Sequence, residues 1–141
     1  FSQAVIIYAL SLLLGLGINL QPTHILGAFA FVALGAMLFS TLSLIIACLV
    51  RTRERFMGIG QVMTMPIFFA SNAIYPIELM PDWLKAIAHV NPLTYEVDAL
   101  RALMLKGGES LYGLGADAGI MVAITAVLVL IAARLYPRMV V

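Results

Sequence analysis

Charge is missing altogether from the first fifty positions, which hold no Asp, Glu, Lys or Arg. A soluble domain of this size exposes more surface than apolar residues can cover, so that absence excludes a soluble fold. Charged residues are scarce in the rest as well, at 11% of the chain against roughly 25% in soluble domains. The single cysteine, Cys48, excludes a disulfide within the chain and reads as a small buried residue in an apolar run. The two histidines, His24 and His89, stand far apart with no Ser, Cys or carboxylate at catalytic or ligand spacing, so no metal site or catalytic constellation is expected. There is no Gly-x-x-x-x-Gly-Lys-Ser/Thr loop, and no cofactor is expected on this chain. The net charge of +1 gives no reason to expect nucleic acid. No basic region precedes the apolar start at Phe1, as a signal peptide would require, and the opening reads as a piece of a longer protein.

What remains is 63% hydrophobic, and the lipid bilayer is the solvent that accepts such a surface. A spanning helix needs about 20 apolar residues to cross about 30 Å of hydrocarbon. Four segments are long enough, over about residues 1–20, 26–50, 56–74 and 114–136, which makes an all-α, polytopic bundle in one transmembrane domain. Gln21, Pro22, Thr23 and His24 are expected to form a short turn between the first two. The third is interrupted by Gly58, Gly60 and Pro66, and the fourth carries Asp117 and Arg134 near its ends. Tyr112 and Tyr136 fall where an aromatic belt would place them. Gly15-x-Gly17 and Gly113-x-Gly115 suit close helix packing or the start of a helix.

Basic residues set the expected orientation. Arg51, Arg53 and Arg55 crowd the link between the second and third segments, and Arg134 and Arg138 follow the fourth. With these inside, residues 75–117 lie outside and carry six of the seven acids, which satisfies the positive-inside rule and makes the C-terminus cytoplasmic.

The external stretch contains two short helical patterns. Residues 82–90 place Trp83, Leu84, Ile87 and Val90 on one side, with Lys85 and His89 on the other. Asn91 and Pro92 stop that helix and start a second over about 92–105, Asn as N-cap and Pro in the first turn. On the second, Leu93, Val97, Leu100 and Met104 form an apolar stripe, and Asp98 and Arg101 are spaced to pair on the opposite face. Glu96 projects near Leu100 and Leu103 on the apolar side. Two short helices meeting at Asn-Pro between two spans form a re-entrant pair, tolerated at membrane depth only under cover of protein or a wet cavity.

Residues 51–105 then carry a family pattern. They read Arg-Thr-Arg-Glu-Arg-Phe, Gly-Ile-Gly-Gln, Pro66-Ile-Phe-Phe, Tyr75-Pro76-Ile-Glu-Leu-Met-Pro81-Asp-Trp-Leu and Asn91-Pro92-Leu-Thr-Tyr-Glu-Val-Asp98-Ala-Leu-Arg101. This order resembles the C-terminal half of ABC-2 type permeases, the group of daunorubicin-resistance-like and polysaccharide exporters. The resemblance implies a six-span subunit of the cell membrane, of which the present segments are the third to sixth. It implies pairing with a second permease copy, as a homodimer or heterodimer. It also implies a cytoplasmic ATPase subunit or fused domain that carries ATP and Mg, with Arg51, Arg53 and Arg55 as a secondary contact to it. The external helices correspond to the family's re-entrant gate, so Pro81, Trp83, Asn91, Pro92, Glu96, Asp98 and Arg101 are its candidate residues. Glu96 departs from the pattern, where small or neutral residues are usual.

Two further readings concern the path itself. Gln61, Thr64, Ser71 and Asn72 place polar groups on the third segment, where interhelical hydrogen bonding alone would account for them. The functional alternative is that Thr64, Phe68, Phe69 and Asn72 line an amphipathic path for a drug, lipid or glycolipid. For Asp98 and Arg101 a structural clasp is favoured over a substrate site, and Glu96 is the best single candidate for a functional carboxylate. The rivals to an exporter are a proton-coupled secondary transporter, which would want a carboxylate in mid-span, and a membrane subunit that transports nothing. A membrane-embedded enzyme would need the nucleophile, base and metal ligands that the sequence lacks.

Overall fold

A computed structural model describes residues 2–15, 17–50 and 52–136, so Arg51 and Arg138 lie outside the described residues. The described residues form six α-helices: α1 (Ser2–Leu13), α2 (Pro22–Leu49), α3 (Arg53–Phe69), α4 (Asp82–Val90), α5 (Pro92–Met104) and α6 (Leu114–Leu135), with a short 3-10 turn at Ile77–Leu79. The all-helical expectation holds, and one isolated bridge, Ile18 to Leu105, is the only extended pairing among them.

Two helices, α2 and α6, are long and apolar enough to cross a bilayer. The other two expected spans are shorter than the roughly 20 residues a crossing needs. Helix α1 has 12 residues and stops where Gly15, at φ 65°, takes the left-handed conformation that other residues resist. Helix α3 has 17 residues and ends three residues after Pro66. The turn expected at residues 21–24 is instead the start of α2, because Pro22 fits a first helical turn where its missing N–H costs nothing.

Three helices make the core. Ala28 and Phe31 of α2, Tyr95, Ala99 and Leu103 of α5, and Met121 of α6 form one buried cluster. Leu103 comes close to Gly27 and Glu96 to Gly35, so α5 runs antiparallel along the N-terminal half of α2. Helix α3 faces Phe39, Leu42, Ser43 and Ile46 in the C-terminal half. At 1.5 Å per residue α3 and α5 are about 26 and 20 Å long, against about 42 Å for α2, so end to end they cover its length.

The buried face of α5 is not its apolar stripe. Thr94, Tyr95, Asp98, Ala99, Ala102 and Leu103 are buried, whereas Leu93, Val97, Leu100 and Met104 are only partly covered. Helix α4 behaves likewise: Trp83 and Val90 are 67% and 78% exposed, and the small Ala88 is its buried residue. Lipid accepts apolar side chains as readily as a core does, so small and polar residues turn inward where they pack closely and find partners.

Candidate functional site

The joint between α3 and α5 starts from Asn91. Its side-chain oxygen accepts the Leu93 N–H at 3.1 Å, the expected N-cap, while its Nδ2 donates to the Ile67 carbonyl at 2.6 Å. That second bond uses a carbonyl near the end of α3, one of the last four that find no partner within their own helix. One side chain therefore caps one helix and fastens it to the end of another.

Arg101 and Asp98 do not pair, which corrects the expected clasp. The Arg101 guanidinium donates to the Asn72 carbonyl at 2.8 Å, and Asp98 accepts the Leu111 N–H at 2.7 Å. The spacing permits the pair, but each group serves a segment that the sequence does not place beside it. Arg101 thereby ties the turn after α3 to α5. Asp98 ties the loop after α5 to the same helix. Asp117 lies nearby, its Oδ2 2.7 Å from Ser110 Oγ, which is itself 3.0 Å from Asp98 Oδ2. Both acids are completely buried. On the other side of this loop, Tyr112 meets His89 of α4 at 2.9 Å and packs against Tyr95.

Glu96 sits where Gly35 of α2 leaves room: a Cβ added at Gly35 would overlap its carboxyl group. Gly35 is the midpoint of the 28-residue α2. Helix α5, at 13 residues, is too short to cross the bilayer itself.

A cavity of about 270 Å³ opens between α2, α3 and the start of α5, lined by Phe39, Ser43, Gly60, Thr64, Phe68 and Leu93 among others. It brings Thr64 and Phe68 together. Thr64 spends its hydroxyl hydrogen on the Gly60 carbonyl, leaving its oxygen as an acceptor. Phe69 is exposed and stacks edge-on against Phe68, while the completely buried Asn72 lies outside the cavity lining. Of the gate candidates, Asn91 and Pro92 form the α4–α5 joint, Pro81 precedes α4, and Trp83 faces outward. Arg53 and Arg55 stand in the first turn of α3. The sequence reading missed Gly35, Ser110 and the pairing of His89 with Tyr112. A glycine in a long apolar helix, opposite an acid on a short one, was the available signal for the first.

Two helices long and apolar enough to cross a bilayer, with buried acids between helices and large apolar side chains outward, suit a membrane-embedded helical protein. Residues 1–105 match the ABC-2 type transporter family, and the chain belongs to it. It is 35% identical over 89 residues to a protein of Cyanophora paradoxa named transport permease ycf38, covering 62% of this chain and 31% of that one. It is 30% identical over 86 residues to Nodulation protein J of Bradyrhizobium diazoefficiens, covering 61% of this chain and 33% of that protein. Nodulation protein J of Rhizobium meliloti is 27% identical over 95 residues, covering 67% and 36%. The chain thus spans about a third of the length of these relatives. No solved structure matches it.

Proposed function

We propose that this chain is the C-terminal part of a non-catalytic permease subunit in an ATP-driven exporter that moves an amphipathic substrate out of the cytoplasm. The observation that carries the reading is the cavity between α2 and α3: mostly apolar walls from Phe39, Leu42, Ile46 and Phe68, with Ser43 and Thr64 as the polar exceptions. Such a lining suits a molecule with a large apolar body and a few hydrogen-bonding groups. ATP and Mg belong on a separate or fused ATPase, which meets Arg51, Arg53 and Arg55. A second permease copy completes the path, and the C-terminus faces the cytoplasm of a cell-membrane protein. The pair α4 and α5 is the outer gate.

The test is transport by the full-length parent, reconstituted with its ATPase, across drugs, lipids and glycolipids. Phe68→Trp and Thr64→Leu are expected to lower transport at unchanged expression, because they fill the cavity and remove its acceptor. Unchanged transport by both would remove the cavity from the path.

One observation favours a second reading. Glu96 lies against the midpoint of α2, the mid-span position that a proton-coupled transporter wants. Under that reading a protonophore abolishes transport while a mutation in the ATPase phosphate loop does not. The exporter reading expects the reverse.

A further inference from the structure

Asp98 of α5 and Asp117 in the first turns of α6 are both completely buried, and one hydroxyl lies between them. A serine hydroxyl has one hydrogen and two lone pairs. Ser110 Oγ receives the Gly113 N–H at 2.7 Å, which occupies one lone pair. Its hydrogen satisfies one carboxylate. The other carboxylate oxygen, also within hydrogen-bond distance, then faces a lone pair unless it carries a hydrogen itself.

The surroundings say which acid carries it. Asp98 Oδ2 already accepts the Leu111 N–H at 2.7 Å and the Tyr112 N–H at 3.4 Å, as an ionised oxygen does. The hydrogen therefore belongs on Asp117 Oδ2, which donates to Ser110, which donates to Asp98. An independent observation agrees: the Oδ1 atoms of both acids are buried without a partner. Two such half-bonded anions would be far costlier than one anion beside a neutral acid.

Among the described residues no ion pair reaches either acid: Arg101 donates to the Asn72 carbonyl, His89 meets the Tyr112 hydroxyl, and Lys106 is exposed. Tyr95 and Tyr112 are the remaining titratable groups around the acids, and α2 brings no acidic or basic residue apart from His24 at its start. The one ion pair among the described residues is Lys85 with Asp82, on α4.

We infer that Asp98, Ser110 and Asp117 form a proton-binding site, one proton held between two carboxyl groups, that latches α5 and its following loop to α6. Loss of the proton leaves two anions around one hydroxyl and opens the latch. Because the folded chain holds a proton that a free aspartate releases at neutral pH, the latch weakens as pH rises.

The test uses the full-length parent in lipid nanodiscs and infrared spectroscopy at about pH 7, where a free aspartate is ionised. The wild-type minus Asp117→Asn spectrum is expected to contain a protonated-carboxyl stretch, and Ser110→Ala is expected to displace that band. Asp117→Asn, whose amide still donates to Ser110, keeps the wild-type melting temperature, whereas Asp98→Asn lowers it. Absence of the band from the difference spectrum overturns the proposal. Should Asp117→Asn fail to accumulate, a wild-type spectrum that Ser110→Ala leaves unmoved overturns it equally. A melting temperature that follows sodium concentration instead of pH also overturns it, by placing a metal cation where the proton is assigned.

Discussion

At the scale of single residues, the close contact between Glu96 and Gly35 can be tested directly. Gly35→Ala adds a methyl group where the carboxyl now lies, and the flexible end of Glu96 has to swing away. A destabilisation of about 1–3 kcal/mol is expected from such overpacking. The double variant Gly35→Ala, Glu96→Ala should recover part of it, because the clash needs both side chains; additive losses in thermal or denaturant unfolding would show that they do not touch. The sequence showed Glu96 as an acid on an apolar face, but its partner lies 61 positions earlier on another helix. Spacing along a single helix carries no information of that kind.

At the scale of elements, the joint between α3 and α5 hangs on Asn91. Asn91→Ala removes the N-cap and the donor to Ile67 together and is expected to cost about 1–2 kcal/mol for the cap plus about 1 kcal/mol for the second bond. Asn91→Asp keeps an acceptor for the Leu93 N–H but loses the donor, so it should fall between wild type and Asn91→Ala. Equal melting temperatures for the two variants would show that the tie to α3 contributes nothing. Arg101→Met leaves the Asn72 carbonyl without its charged donor and should cost about 1.5–3 kcal/mol. Protease cutting near residues 70–76 provides the check, since release of that turn should accelerate it. Helix boundaries here were legible because Pro81, Asn91 and Pro92 are strong local signals that act through their own backbone. The inward face of α5 was not legible. Its apolar stripe points toward lipid as readily as toward protein, and the partners of Asp98 and Arg101, Leu111 and Asn72, come from distant loops.

At the scale of the whole molecule, the composition alone excluded a soluble fold, and the family pattern in residues 51–105 agrees with the ABC-2 type match over residues 1–105. Of the four spans read from the sequence, two correspond to helices long and apolar enough to cross a bilayer. Length and hydropathy register an apolar run, but not the glycine that stops α1 or the division of labour by which α3 and α5 together line α2. On the proposed reading, this chain belongs to a conduit driven by ATP hydrolysis on another subunit or domain. Its most direct test is to purify the tagged full-length parent from its native membrane in mild detergent and assay the preparation for ATPase activity. An ATPase is expected, co-purifying or fused, whose activity disappears when the lysine of its phosphate loop is replaced. A clean, folded parent with no ATPase of either kind would contradict it and turn attention to Glu96 and a secondary mechanism.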